Sequence, residues 1–175
     1  MSGPRIDLTY DERPKETKGA VISECGTYRY CLSRMTASPL RWVKRVCWIM
    51  LNPSTADEVN NDPTIRRVLG FSESWGCTHV NVVNLYALRA TDPNELFAHA
   101  DPIGSENDRW IHETASRADL IVAAWGAHKM ASGQRIQRVW DRTNRNLLCL
   151  GTTKRGAPKH PLYLPYTTQL QGWMP

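Results

Sequence analysis

Short apolar runs alternate with amphipathic segments of helical length through most of this chain. The runs that read as strands covered on both faces are residues 45–50, 78–84, 119–124 and 147–150. The segments that read as helices are residues 64–71, 105–117 and 130–143. Strands that alternate with helices predict an α/β fold, a three-layer α/β/α sandwich around a central, mostly parallel sheet of about four strands.

The N-terminal part follows a different pattern. Residues 20–34 alternate between apolar and polar side chains around a turn at residues 24–27, which predicts a β-hairpin preceding the sandwich. Residues 1–19 are polar and charged, so we expect a flexible arm. A length of 175 residues suits one domain with a substantial core, here residues 20–175.

Composition narrows the compartment and the cofactors. No apolar stretch reaches membrane-spanning length and the N-terminus lacks a signal-peptide core, so we expect a cytoplasmic protein with no membrane partner. The five cysteines are odd in number and widely spaced, without a Cys-x-x-Cys motif. This spacing favours reduced thiols over a zinc or iron–sulfur site, and we expect no metal and no cofactor.

The net charge of +5 is concentrated near the C-terminus. Residues 131–175 carry seven Lys or Arg side chains against a single Asp. A one-sided basic region is typical of proteins that bind a polyanion. The arginine stripe from residue 135 to 145 is equally consistent with a solvated helix face. The residues expected to contact DNA phosphates are Arg135, Arg138, Lys154, Arg155 and Lys159.

Three polar side chains stand at positions where an open α/β sheet places its ligand crevice. Asn52 and Asn84 follow or end apolar strands, and His160 follows a basic, glycine-containing loop. A carboxamide held before Pro53 can orient a water, whereas Asn84 can hydrogen-bond both the carbonyl and the N3–H of a pyrimidine. An imidazole can donate to the oxygen that gains charge on a departing base. Each residue alone also has an ordinary structural role, in a turn or a strand end.

The same segments resemble the uracil-DNA glycosylase superfamily, most closely its mismatch-specific thymine/uracil branch. Residues 50–55 (Met-Leu-Asn-Pro-Ser-Thr) resemble the first motif, and residues 82–84 resemble the strand whose final asparagine reads the pyrimidine. Residues 123–128 look like the third-strand ending, and residues 160–164 (His-Pro-Leu-Tyr-Leu) resemble the second motif. The matches keep the family's order over about residues 45–165. Nearly the whole chain also looks like an uncharacterised family of small phage and bacterial domains.

The resemblance implies catalytic roles for Asn52, which would position the water, and for His160, which would contact the base. It implies base reading by Asn84 and a loop, Leu162 and Tyr163, that approaches the flipped nucleotide.

Two further residues are expected to bind the base. Ser54 stands where uracil-specific members have a pocket-closing tyrosine, so 5-substituted pyrimidines should be accepted. From the residues themselves, Tyr86 is a further candidate for stacking on the base.

The sequence departs from the motifs in ways that matter for rate. Met50 replaces a glycine, Leu162 and Tyr163 replace Ser-Pro, and Asn52 is not the carboxylate that the fastest members use. A slow or selective enzyme is therefore expected. The polar segment 54–63 either lines the pocket or caps the helix that Pro63 begins.

The sequence therefore predicts a monomeric, cofactor-free DNA glycosylase that flips a modified or mismatched pyrimidine out of single- or double-stranded DNA. Two alternatives stay open. One is a module that binds nucleic acid or a modified base without cleaving it. The other is an N-glycosidase of free nucleosides or nucleotides, which would bind with a much weaker dependence on salt.

Overall fold

Seven strands and four α-helices are found in the part of the chain that the computed structural model describes, residues 18–37, 42–54, 61–144 and 146–175. The strands are β1 (Lys18–Ile22), β2 (Arg29–Met35), β3 (Arg45–Met50), β4 (His79–Asn84), β5 (Leu120–Ala123), β6 (Leu147–Cys149) and β7 (Gln171–Trp173). The helices are α1 (Pro63–Ser74), α2 (Glu95–Ala98), α3 (Asn107–Ser116) and α4 (Gly133–Arg142), and a 3-10 turn covers Pro161–Tyr163.

All seven strands belong to one mixed sheet in the order β1-β2-β4-β3-β5-β6-β7. β3 pairs in parallel with β4 and β5, and β5 pairs in parallel with β6. The pairs β1–β2, β2–β4 and β6–β7 are antiparallel. The expected sheet of about four mostly parallel strands, with a separate hairpin before it, is therefore wrong.

The hairpin is part of the sheet because most side chains of β2 are buried. Five of its seven residues are buried, and β2 pairs with β4 from Leu32↔Val82 to Met35↔His79. A two-stranded hairpin alone is marginally stable in water, so pairing with a buried strand stabilises it. At the other edge, β7 is a three-residue strand with two exposed residues, which gives no alternation to detect from sequence.

Helices cover both faces of the sheet. On one face, α1 packs Ile65, Val68 and Phe71 against Trp48, whose indole N–H donates to Ser72 Oγ at 2.9 Å. On the other face, α3 and α4 pack against the side chains of β3, β4 and β5 that point the opposite way. Burying each of these large apolar side chains stabilises the fold by about 1.5–3 kcal/mol. The two layers therefore supply most of the hydrophobic stabilisation of the core.

The start of α1 is as predicted from its sequence. Asp62 is the N-cap, and its Oδ1 accepts from the Ile65 N–H at 2.7 Å. Pro63 occupies the first turn, where its missing N–H costs nothing. The position of α1 matters for the site because it places the Asp62 carboxylate beside the ends of the central strands.

The N-terminal boundary differs from the expected one. Residues 1–17 of the expected arm lie outside the described residues, whereas Lys18 and Gly19 belong to β1 and pair with Arg34 and Ser33. The first strand therefore begins two residues before the predicted hairpin. Within the described ranges, no helix is both long and apolar enough to cross a lipid bilayer.

Candidate functional site

The ends of β3 and β4 bring Asn52 and Asn84 to the same edge of the sheet. The two strands run parallel with Met50 opposite Asn84, and the ladder continues through the Leu85 N–H bond to the Met50 carbonyl at 2.8 Å. Asn52 follows two residues after β3 ends. Both carboxamides therefore lie at the carboxyl edge, where open α/β sheets bind ligands.

His160 reaches this edge through contacts at the end of β5. The Gly126 N–H donates to the Pro158 carbonyl at 3.0 Å, which ties the segment before His160 to the β5 exit. Gly126 has a φ of +75°, and a Cβ on it would lie 3.6 Å from the His160 Cβ. Trp173 of β7 also donates its indole N–H to the Gly156 carbonyl at 2.9 Å and holds the preceding loop.

A cavity of about 410 Å³ contains all three residues in its wall, within the usual size range of small-ligand sites. Its polar wall residues are Arg29, Asn52, Ser54, Asp62, Thr64, Asn84, Thr91, His128 and His160. Its apolar wall residues are Met50, Leu51, Ile65, Val82, Ala90, Pro93, Trp125 and Ala127. Apolar wall segments beside several polar groups suit a flat ring with a polar edge.

The Asn52 carboxamide has a fixed orientation. Its Nδ2 donates to the Ala90 carbonyl at 2.9 Å and to the Pro53 carbonyl at 3.1 Å. Carbonyl oxygens only accept hydrogen bonds, so the nitrogen must face them and the amide cannot be flipped. The Oδ1 atom has no hydrogen-bond donor among the described residues, which leaves one acceptor of set direction.

Asn84 carries an unpartnered polar side chain in an almost closed position. The residue is 2% exposed, yet among the described residues nothing hydrogen-bonds its carboxamide. Its main-chain carbonyl is satisfied instead by the Asn107 amide at 3.1 Å. The Asn84 amide atoms are not among the buried, unpartnered side-chain atoms of the described residues, so they face the cavity space and are available to a ligand.

The His160 imidazole is held as a neutral donor. The Leu162 N–H donates to His160 Nδ1 at 3.3 Å, so Nδ1 carries no proton and Nε2 does. Burial lowers the pKa of His160, and this effect outweighs the nearby Asp62 charge, which acts to raise it. At neutral pH the ring therefore offers an uncharged Nε2–H.

Two charged residues of the cavity wall were not predicted as site residues. Asp62 both caps α1 and lines the cavity, and it is the one carboxylate among the wall residues described. The polar segment 54–63 was the signal for it, although residues 55–60 lie outside the described residues. Arg29 is 6% exposed at the start of β2, and no pattern in the sequence distinguishes it from Arg34 of the same strand.

Three of the expected base-binding residues do not line this cavity. Tyr86 lies beyond the end of β4, and its hydroxyl donates to the Met130 carbonyl at 2.9 Å. Leu162 and Tyr163 belong to the 3-10 turn, and Tyr163 is 91% exposed. In this turn the Leu162 N–H donates to His160 Nδ1. Ser54, by contrast, is in the cavity wall as expected.

The expected phosphate contacts separate into two groups. Arg135 is buried, ion-paired with Asp108 on α3 and bonded through Nε to the Leu85 carbonyl at 2.6 Å, so it is not a surface phosphate contact. Arg138 has an exposed side chain on the same helix. Lys154, Arg155 and Lys159 are exposed on a hairpin loop between β6 and His160. Arg145 lies outside the described residues.

The hairpin loop has a defined shape. Thr152 pairs with Pro158, and the Thr153 N–H donates to the Ala157 carbonyl at 2.8 Å. Gly156, with a φ of +81°, closes a turn in which Lys154 and Arg155 occupy the middle positions. Two cations therefore project from the loop that leads directly to His160.

No group of three or more potential metal ligands occurs among the His, Cys, Asp and Glu side chains of the described ranges. No curated protein and no solved structure matches this chain significantly. A family model does match, over residues 29–162, which is most of the chain and includes the whole cavity edge. The chain therefore belongs to the family described as "Protein of unknown function (DUF1643)".

Proposed function

We propose that this protein is a DNA-base N-glycosylase that takes a flipped pyrimidine into the 410 Å³ cavity and hydrolyses its glycosidic bond. One observation carries the proposal, the carboxamide of Asn84, which lines the cavity without a hydrogen bond to the described residues, beside the oriented groups of Asn52 and His160. The motif resemblance to the uracil-DNA glycosylase superfamily supports it independently of this geometry.

Base recognition follows from the groups that are left without partners. The Asn84 carboxamide has a donor and an acceptor side by side, which complement a pyrimidine carbonyl and the neighbouring N3–H. The neutral His160 donates its Nε2–H to the other carbonyl of the ring. A site with such groups disfavours ligands that lack the matching partners, because its own polar atoms would then stay buried and unpaired.

Bond cleavage uses a water between the cavity wall and the sugar. One hydrogen of this water is donated in a hydrogen bond to Asn52 Oδ1, and the Asp62 carboxylate takes the other as a proton while the water oxygen bonds to C1′. The bond between C1′ and N1 breaks, and its electron pair leaves with the base. His160 stabilises the negative charge that develops on the base oxygen. The carboxylate also stabilises the positive charge that develops on the sugar.

DNA as the carrier of the base is supported by the hairpin loop. Lys154, Arg155 and Lys159 are exposed directly before His160, where the backbone beside a flipped nucleotide would pass. Ser54 in the wall leaves room for a substituent at C5 of the pyrimidine, so the proposed substrates include 5-substituted pyrimidines.

The proposal is tested with oligonucleotides that carry uracil, mismatched thymine or 5-modified pyrimidines, as single strands and as duplexes. Alkali treatment after incubation reveals abasic sites as strand breaks, and free nucleosides are assayed in parallel for base release. Abasic sites in at least one oligonucleotide support the proposal. Tight binding without any cleavage would identify a binding module instead, and cleavage confined to free nucleosides would identify a nucleoside N-glycosidase.

A further inference from the structure

A second cavity, of about 350 Å³, lies between the chain that leaves β4 and the first turn of α4. Its wall consists of Tyr86, Ile103, Ser132, Gln134, Arg135 and Arg138. None of these residues lines the 410 Å³ cavity. We propose that this second cavity binds a phosphate group.

The first turn of α4 supplies unpaired donors. Ser132 is the N-cap, but its side chain makes no capping hydrogen bond. The N–H groups of Gly133 and Gln134 find no acceptor among the described residues, whereas those of Arg135 and Ile136 bond to the Ser132 carbonyl. An uncapped N-terminus of a ten-residue helix carries a partial positive charge and is suited to an anion.

A buried arginine gives the independent second observation. Arg135 is 7% exposed, lines the cavity, and has an Nη2 atom with no hydrogen-bond partner in the described part of the chain. Its other nitrogens are held by Asp108 and by the Leu85 carbonyl, which fixes the guanidinium plane. In an arginine fixed in this way, Nη2 is the nitrogen left to donate a charge-assisted hydrogen bond to a phosphate oxygen.

The charge balance also favours an anion. Arg138, whose side chain is 60% exposed, lies 4.0 Å from the same Asp108 carboxylate. Two guanidinium groups therefore face one carboxylate, and one positive charge is left over in addition to the helix terminus. A neutral or cationic ligand would not compensate this charge.

The position of the cavity indicates which phosphate it holds. Asn84 and His128 line the first cavity. Tyr86 and Ser132, which follow them by two and four residues in the chain, line the second. Two residues of chain span at most about 7 Å and four span at most about 14 Å, so the two cavities are neighbours. If the proposed function holds, the phosphate belongs to the nucleotide whose base occupies the first cavity, or to the next one in the strand.

Phosphate binding is measured on the intact protein by the rise in melting temperature with sodium phosphate, against sodium chloride at the same ionic strength. Ser132→Asp should abolish the rise, because aspartate caps α4 and repels an anion without weakening the helix. Arg138→Gln should weaken phosphate binding about tenfold, as expected for losing one charge-assisted contact. Arg142→Gln, at the far end of α4, is the matched control and should bind as the wild type does.

Two further ligands distinguish the source of the phosphate. Binding of a terminal phosphate is tested by comparing thymidine 5′-monophosphate with thymidine. Binding of a backbone phosphate is tested by comparing an unmodified oligonucleotide with one that carries a single neutral methylphosphonate beside the target base. The proposal is overturned if phosphate stabilises the wild type no more than chloride does, or stabilises all three variants equally. The wild type could bind phosphate, lose this binding in Ser132→Asp, and still cleave no oligonucleotide. That result would support the phosphate site and refute the proposed glycosylase activity.

Discussion

At the scale of single residues, Asn84 is in an unfavourable state for a purely structural side chain. The residue is 2% exposed and its carboxamide makes no hydrogen bond to the described residues, so a leucine of similar size at the end of β4 would replace a weakly solvated polar group with an apolar one. The neighbouring Asn107 shows the opposite arrangement, since its amide donates to the Asn84 and Leu85 carbonyls at 3.1 Å each. Asn107 Oδ1 is buried without a hydrogen-bond partner among the described residues, so the two asparagines differ in that only Asn84 lines the cavity and only Asn107 donates to main-chain carbonyls.

We therefore expect Asn84→Leu to raise the free energy of unfolding by about 1 kcal/mol while it abolishes binding of the base. Urea denaturation and an equilibrium binding assay measure the two effects on the same preparation. Asn107→Leu is the matched control and should lower the free energy of unfolding, because two carbonyls lose their donor. An Asn84→Leu protein that is less stable than the wild type would indicate a structural role for Asn84.

Asn52 is a less suitable residue for such a test. Its amide donates to the Pro53 and Ala90 carbonyls, so Asn52→Ala removes structural hydrogen bonds together with the oriented Oδ1. Loss of activity in that variant would have two explanations.

His160 gives the stability of the protein a defined pH dependence. Burial lowers its pKa in the folded state, whereas the unfolded chain protonates it near 6.5. Below about pH 6.5 the unfolded state therefore binds more protons than the folded state does. As the pH is lowered from there, the free energy of unfolding decreases until the pH reaches the pKa of His160 in the folded protein. Protonation would also replace the Nδ1 acceptor of the Leu162 N–H with a donor.

The expected result is that wild-type stability decreases more between pH 7.5 and about 5.5 than the stability of His160→Gln. His79 contributes in the same direction, because burial, together with the nearby Arg45 charge, lowers its pKa as well. His79→Gln is therefore the comparison variant, and each substitution should remove its own share. If the two curves for wild type and His160→Gln run parallel, His160 is not held neutral in the folded protein.

At the scale of elements, the first turn of α1 combines a cap with a charge. Asp62 stabilises the helix through the Ile65 N–H and supplies the carboxylate of the cavity wall. Asparagine caps helices about as well as aspartate but carries no charge. The two roles can therefore be separated by one pair of substitutions.

Asp62→Asn should change the free energy of unfolding by less than about 1 kcal/mol and lower the rate of base release by about 10²–10⁴. Asp62→Ala should lower the rate similarly and also cost about 1 kcal/mol of stability through the lost cap. Single-turnover kinetics and urea denaturation of both variants give the comparison. A rate for Asp62→Asn equal to that of the wild type would exclude the carboxylate from the reaction.

The hairpin loop between β6 and His160 is the second element with a separable role. Lys154→Ala/Arg155→Ala should weaken binding to all DNA sequences about equally and reduce the slope of log affinity against log salt by about 2. The control is the double variant Arg117→Ala/Arg142→Ala, which also removes two positive charges. These arginines lie at the C-terminal ends of α3 and α4, at the edge of the sheet opposite the cavity. Equal slopes for the two double variants would assign no phosphate contact to the loop.

At the scale of the whole molecule, the sequence pattern located most elements but not their arrangement. Six of the seven strands and the three longest helices of the described residues lie within a few residues of their predicted positions. The pairing of β2 with β4 was missed because alternation shows which residues face a core, not which strand lies beside them. β7 was missed because three residues at a sheet edge carry too little pattern.

The candidate site divides in a similar way. Asn52, Asn84, Ser54 and His160 were identified because strand ends and motifs mark them in the sequence. The sequence did not show that Arg135 is buried and ion-paired, because a stripe of arginines does not reveal that one of them faces Asp108 on another helix. Long-range pairs of this kind depend on the packing of α3 against α4, which no local pattern encodes.

The central claim is that the cavity at the ends of β3 and β4 binds a base and releases it. The most direct measurement is mass spectrometric detection of free base after one turnover, with enzyme in excess over each oligonucleotide of the panel. If the cavity binds and releases the base, the wild type yields free base and abasic sites in equal amounts, and Asn84→Leu yields neither. Absence of free base from every oligonucleotide with the wild type, or equal release by the two proteins, would contradict it.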